Sequence, residues 1–239
     1  MLEYYNTQFG LINLVGNGAS TIPIVGRPLN SIAAFNWGGL DQNGDPRGFL
    51  NGELSTDYQK IRNSTVGETD DNQAIVFVGS SVPQLFGNLI NTFSYRNFEL
   101  SLNLSFKADY YFSKQATTSG NFYLYGKAYS DFDRRWQSPG DENYTQVPRV
   151  KYPIDANRDA FYQESSLNVL KGDHIRVEYI NLSWRNLWQL GSKKLNTRMF
   201  LNASNLGLMW KRNKEGLDPD FPGRLTPNPT YAIGLNVNF

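Results

Sequence analysis

Cysteine is absent from the sequence, which excludes disulfide-stapled scaffolds and thiolate metal sites. Histidine occurs once, at His174, so no second His or Cys completes a metal set, and no Gly-x-Ser-x-Gly nucleophile motif is present. No run of ~18 apolar residues occurs, so membrane-spanning helices are excluded as well. Neither sign of charge dominates: 23 Lys and Arg face 22 Asp and Glu, interspersed, and leave no electrostatic footprint for nucleic acid. Met1-Leu2-Glu3-Tyr4-Tyr5-Asn6 has no basic n-region and no apolar h-region, so it is not a signal peptide.

What the chain has in quantity is aromatic residues, at 14 %, and stretches of strict alternation. From Tyr231 to the end, Tyr231, Ile233, Leu235, Val237 and Phe239 alternate with Ala232, Gly234, Asn236 and Asn238. A period of two puts the first set on one face of a strand and the second on the other. Ten residues at ~3.3 Å each, tilted by ~45°, span ~23 Å, close to the ~25 Å apolar band of an outer-membrane barrel. An ordinary half-buried antiparallel strand gives the same alternation, so this stretch alone does not separate barrel from soluble sheet.

The clearest hairpin lies upstream. Leu89, Phe93 and Tyr95 share one face of residues 88–95, with Ile90 an exception on the other. After Arg96-Asn97, the residues Phe98, Leu100, Leu102, Leu104 and Phe106 alternate with Glu99, Ser101, Asn103, Ser105 and Lys107. Asn tolerates positive φ, which suits a two-residue turn at Arg96-Asn97. Ile175 and Val177, with Tyr179, hold one phase while Ile180, Leu182 and Trp184 hold the other, which predicts a bulge or a strand whose upper half stands above a membrane. Further strands are expected at 2–14, 28–38 and 195–210, with a loop at 16–20 and a polar segment from 40 to about 83. Residues 113–164 show no sustained period, and a stretch that long is usually functional. A short turn at 96–97 followed by this excursion matches a barrel with short periplasmic turns and long extracellular loops.

Candidate sites are few. His174 reads as a polar strand-end residue. Asp41-Gln42-Asn43-Gly44-Asp45 places oxygen ligands at alternate positions, but Pro46 stands where a calcium loop needs glycine, so an Asn-Gly turn is the plainer reading. Asp131, Asp133, Asp141 and Glu142 would need a fixed separation to act as a glycosidase pair, and no scaffold is legible around them. Tyr123, Tyr125, Tyr129, Phe132, Trp136, Tyr144 and Tyr152 are candidates to stack on a ligand or meet a partner protein, or else to hold their own segment together. Of these, Tyr123, Tyr125, Trp136 and Tyr144 are the chosen contact candidates. No catalytic, cofactor-binding or metal-binding residue is expected, and the chain reads as a non-enzyme.

Several segments, in order, resemble the SusC/RagA-like branch of TonB-dependent outer-membrane transporters. They are Gly26-Arg27-Pro28-Leu29, Gly39-Leu40-Asp41 with Gly44-Asp45-Pro46, Pro83 with Phe86-Gly87, and the hairpin from Asn91-Thr92-Phe93 to Asn97-Phe98. Then follow Arg135-Trp136, Pro148-Arg149, Lys171-Gly172-Asp173 with Ile175-Arg176, Asn205-Leu206, Gly216-Leu217-Asp218-Pro219 and the terminal strand. The resemblance implies an all-β fold: the C-terminal part, about seven antiparallel strands, of a large transmembrane β-barrel. Residues 1–239 then form a single partial barrel segment, without plug or N-terminal barrel strands, and Met1 lies inside a longer polypeptide. It implies import of oligosaccharides or peptides across the outer membrane of a Gram-negative cell. The implied partners are a SusD-like surface lipoprotein, the TonB complex acting through the plug, and the outer-membrane assembly machinery. Tyr231, Gly234, Val237 and Phe239 resemble that machinery's assembly signal, from which Ala232 departs because a polar residue is usual there. The alternative is a secreted soluble β-sandwich that binds carbohydrate, in which a second sheet covers Phe98, Leu100, Leu102, Leu104 and Phe106.

Overall fold

The computed structural model describes Val15 and residues 30–63 and 73–238. The expected strand at 2–14, the loop at 16–20, the Gly26–Leu29 motif and Phe239 lie outside the described residues. Sheet dominates, helices are few and short, and no described helix is long and apolar enough to cross a membrane. The chain divides into two compact units, residues 1–82 with 110–171 and residues 83–109 with 172–239.

The second unit is a five-stranded antiparallel sheet. Counting strands along the whole chain, it holds β5 (Leu85–Tyr95), β6 (Phe98–Ala108), β9 (His174–Leu190), β10 (Lys193–Lys211) and β11 (Thr230–Asn238), in the order β11-β10-β9-β6-β5. Every neighbouring pair is antiparallel. Two-residue turns, Arg96-Asn97 and Gly191-Ser192, join strands at one end of the sheet. At the other end the connections are long, residues 109–173 and 212–229. That is the asymmetry of a barrel wall. Positive φ at the first turn falls on Arg96 (φ 52) rather than on Asn97, the pattern of a turn that takes its left-handed residue in the first central position. The φ of Gly191 is 63, where no side chain opposes it.

The phase change within residues 175–184 is a bulge. Asn103 pairs with Tyr179 but Leu104 pairs with Val177, which leaves Glu178 without an opposite residue on β6. Ile175 and Val177 thereby return to the face that carries Ile180, Leu182 and Trp184, and Tyr179 goes to the polar face with Asn103. Two residues in the same phase by count are thus on opposite faces in space.

The first unit is built from short pieces. Three two-stranded ladders pair β1 (Ser31–Phe35) with β4 (Ile75–Ser80), β2 (Gly48–Leu50) with β3 (Glu53–Ser55), and β7 (Tyr111–Ser113) with β8 (Val169–Lys171). The expected strand at 28–38 is therefore a strand, but outside the five-stranded sheet. All five of its residues are buried, whereas a wall strand must leave one face open to lipid. Its Phe35 packs on Phe161 with ring centroids 5.5 Å apart, and Ile61 completes this core without exposure.

Residues 113–164, which read as structureless, hold two helices, α2 (Ser119–Tyr125) and α3 (Ala156–Gln163), after α1 (Tyr58–Asn63). Each is about two turns, too short to display a 3.6-residue period. Side-chain caps start them: Thr118 accepts from the amide of Asn121, and Asp155 accepts from the amides of Asn157 and Arg158.

Candidate functional site

One face of the five-stranded sheet is apolar from edge to edge. A single row reads Phe93, Leu100, Leu182, Leu201, Ile233, each directly opposite the next in register. The neighbouring row reads Tyr95, Phe98, Trp184, Met199, Leu235. These side chains are not covered: Phe93 is 61 % exposed, Ile233 82 % and Leu235 64 %. Phe98 and Leu100 are exposed and Leu102, Leu104 and Phe106 are half-buried, so none of the five that a sandwich would bury is buried. The sandwich reading is not favoured. An apolar surface spanning five strands is far beyond the scattered exposure normal for a protein facing water.

The opposite face is polar. Ser101, Asn181 and Asn202 form one cross-strand row, and Asn103, Tyr179 and Ser204 the next. Glu178, freed by the bulge, accepts a hydrogen bond from the Ser105 hydroxyl. Arg185 donates to Glu99 at 3.3 Å, and Arg198 stands opposite Arg185 in register. The Phe200 ring lies over Gly234, where a Cβ would come within 2.1 Å of its Cζ. This glycine is required by the ring above it, in the manner of an aromatic covering a strand glycine.

Where β9 begins, a charged cluster ties residues 212–229 to the sheet. Arg176 donates to Asp218 at 2.7 and 2.8 Å and to Asp220 at 3.1 Å. Lys107 reaches Asp220 at 2.7 Å and His174 reaches it at 3.2 Å. The His174 hydrogen bond, opposed by burial and assisted by Lys107, holds the Asp220 carboxyl well below the usual carboxylate range. His174 is the first residue of β9, at the strand end as read from the sequence, and is 1 % exposed. The partners of Asp218 and Asp220 lie at least 42 residues away in sequence, so nothing local marks the two carboxylates as a site.

In the first unit, Tyr123 (47 % exposed), Tyr125 (68 %), Tyr144 (93 %) and Tyr152 (76 %) reach the surface. The rings of Tyr123 and Tyr152 meet edge to face at 5.7 Å. Trp136 is not with them. It is buried, its Nε1 donates to Glu142 at 2.9 Å, and its ring covers Gly44, which has φ +74. Its place is inside the segment, holding the 41–45 turn.

Three of the four acidic residues weighed as a glycosidase pair, Asp131, Asp141 and Glu142, have structural partners instead. Asp131 is buried and accepts from the amide and hydroxyl of Thr117 and the hydroxyl of Tyr162. Asp141 accepts from the amides of Gln137 and Ser138, and Glu142 from the indole of Trp136 and the amide of Gly140. Backbone hydrogen bonds from Gln137 and Ser138 hold Asp141 below its usual range, and the Trp136 bond does the same for Glu142. In the 41–45 turn, an Asp41 oxygen accepts from the amides of Asn43 and Asp45 at 2.8 Å each. Asp45 is ringed by Arg149, Lys151 and Arg158 at 2.7 to 3.6 Å. Three cations around one carboxylate are the reverse of a calcium site.

No protein-family model matches the chain, and no curated protein matches it. Solved structures do. The RagAB peptide importer in its open-open state aligns with a TM-score of 0.60 at 15 % identity, over 94 % of this chain and 24 % of the importer chain. The same importer in its closed-closed state gives a TM-score of 0.53 at 16 % identity, over 86 % of this chain and 22 % of that one. A further RagAB peptide transporter structure gives 0.55 at 14 % identity. The chain spans about a quarter of the length of these proteins, and at such identities the likeness is one of fold.

Proposed function

We propose that the chain is the C-terminal part of the barrel wall of an outer-membrane importer of the SusC/RagA kind. The observation that carries this is the two-faced sheet: an exposed apolar face suited to lipid, backed by a Ser- and Asn-lined face suited to a water-filled interior. The fold likeness to the RagAB importer supports it. Among the described residues, β5 and β11 each pair on one side only, and lipid tolerates no free sheet edge, so further strands of a larger barrel complete the wall. Strands β9 and β10 run for 17 and 19 residues against the ~10 that cross a membrane, so they extend beyond it.

In this reading no bond is made or broken. Peptide or oligosaccharide is held by the extracellular segments, where Tyr123, Tyr125, Tyr144 and Tyr152 present open rings and Trp136 supports the fold beneath. A SusD-like lipoprotein closes over the ligand, and the TonB complex drives release through a plug elsewhere in the polypeptide. Tyr231, Gly234, Val237 and Phe239 serve as the assembly signal. The test uses the absence of cysteine from this segment: single Cys residues at 99–102 and 231–234 in the parent protein, spin-labelled in bilayers. Collision with oxygen should peak at Leu100, Leu102, Tyr231 and Ile233, and collision with an aqueous nickel chelate at the residues between. Aqueous contact at Leu100 and Ile233 would overturn the membrane reading.

Assembly and transport should separate. Deleting Phe239 from the parent protein is expected to lower its outer-membrane level while leaving uptake per assembled molecule nearly unchanged. Tyr125→Ala is expected to lower uptake at a normal level. Both are read by quantifying the transporter in purified outer membranes beside peptide and oligosaccharide uptake by the same cells. A normal level without Phe239 would remove it from the assembly signal.

A further inference from the structure

The two tight turns of the sheet differ at one position. Each takes its left-handed residue first: Gly191 at φ 63 in the turn Gly191-Ser192, and Arg96 at φ 52 in the turn Arg96-Asn97. That position favours glycine, because a β-carbon there crowds the following carbonyl. One turn meets the requirement at no cost, and the other keeps an arginine in a conformation its side chain opposes. A residue held in such a conformation points to a use for its side chain.

The Arg96 guanidinium lies over the ring of Tyr95, 5.3 Å from its centroid. Tyr95 is exposed and begins the row Tyr95, Phe98, Trp184, Met199, Leu235 on the apolar face. Trp188, four residues beyond Trp184 on the same face, meets it edge to face at 6.4 Å. The short-turn end of the apolar face is thus a band of aromatic rings with a cation at its rim. Among the described residues no carboxylate pairs with Arg96. Glu99, the nearest in sequence, stands on the polar face and is engaged by Arg185 at 3.3 Å.

We propose that Arg96 is a lipid anchor: its guanidinium, carried to the rim of the apolar face by Tyr95, holds the phosphate of a glycerophospholipid headgroup in the leaflet on the short-turn side. Such an anchor exists only where the apolar face meets a bilayer, so it rests on the membrane reading above. A planar guanidinium can rest one face on a ring and still offer its fork of N–H donors to two phosphate oxygens. Tyr and Trp rings settle at the headgroup level of a bilayer, which puts lipid phosphates at the height of Tyr95. A cation without a protein counter-ion, at the edge of a surface that lipid covers, has those phosphates as its nearest opposite charges.

The test folds the parent protein into vesicles of phosphatidylglycerol and, in parallel, of digalactosyldiacylglycerol with the same acyl chains, a bilayer lipid without phosphate. Arg96→Gly copies the first residue of the Gly191-Ser192 turn and relieves the left-handed position in both bilayers. In the phosphate-free vesicles it should therefore stabilise the protein against urea. In phosphatidylglycerol that gain should shrink, the unfolding constant rising about fivefold relative to the phosphate-free case. Arg96→Gln keeps the opposed backbone and removes the charge, and should show the same dependence on lipid. An Arg96→Gly effect equal in the two lipids would overturn the anchor. So would a dependence seen with Arg96→Gly and not with Arg96→Gln, because it would belong to the backbone. Oxygen and nickel contacts at 99–102 in the same phosphatidylglycerol vesicles separate the two ideas. The alternating pattern without any lipid dependence sinks the anchor alone, whereas loss of the pattern sinks the membrane reading with it.

Discussion

Arginine in place of Leu100 is expected to lower the amount of folded protein in the membrane sharply, while arginine in place of the adjacent Ser101 leaves it nearly unchanged. Leu100 is the third residue of β6, in the row Phe93, Leu100, Leu182, Leu201, Ile233 on the exposed apolar face. On the membrane reading a guanidinium there would face hydrocarbon, at a cost that reaches about 2–4 kcal/mol at the bilayer midplane and falls towards the interfaces. Ser101 faces the other way, beside Thr92 and Asn181, where an arginine meets polar side chains and water. The measurement is the urea midpoint of each variant folded into vesicles, beside its level in purified outer membranes. Two adjacent residues, the same substitution and opposite outcomes make this a test of facing rather than of general tolerance. Equal losses at both positions would mean that the sheet is enclosed on both sides.

Loss of the Arg158 guanidinium is expected to destabilise the first unit by about 1–3 kcal/mol, the cost of removing buried charge-assisted hydrogen bonds. Arg158 is buried on α3, with Nε 2.7 Å from Asp45 and Nη2 2.9 Å from the carbonyl oxygen of Arg149. Arg158→Met keeps much of the volume and removes all of this. Asp45 would keep Arg149 and Lys151, both more open to water. Replacing both members, as Asp45→Asn with Arg158→Met, should cost less than the sum of the two changes, because no lone charge is left buried. The pH dependence has a definite sign. Burial alone would raise the Asp45 carboxyl, but the Arg149 hydrogen bond and the charges of Arg158, Arg149 and Lys151 outweigh it and hold the group below its usual range. A carboxyl lowered in the folded state contributes stability that is present above its unfolded pKa of about 3.9 and is lost as the pH falls through the folded value. Hydrogen exchange at the amides of Asp45 and Arg149 should therefore accelerate in Arg158→Met at neutral pH. The acid sensitivity of the unaltered unit should be larger than that of the variant. Unchanged exchange in the variant would show that the ion cluster is incidental to the unit's stability.

By itself the sequence determined the sheet. Alternation from Phe98 to Phe106 and from Tyr231 onward fixes which residues share a face, because side chains of a strand alternate whatever surrounds it. The turn at 96–97, the phase change in β9 and the contrast of short turns with long connections were legible for the same reason: all are local. Tertiary structure decided what depends on distant partners. The strand at 31–35 is identical in kind to a wall strand until its burial on both faces shows that it belongs to another unit. Residues 113–164 look structureless because helices of two turns carry too little period to be seen, and their stability comes from caps and from packing such as Phe161 on Phe35. Trp136 and Tyr125 read alike as aromatic residues in one polar stretch, yet one covers Gly44 and the other faces solvent. His174 meets Asp220 only because the segment 212–229 folds back onto the sheet. Local alternation is written into neighbouring residues; which charges meet is written only into the path of the chain between them.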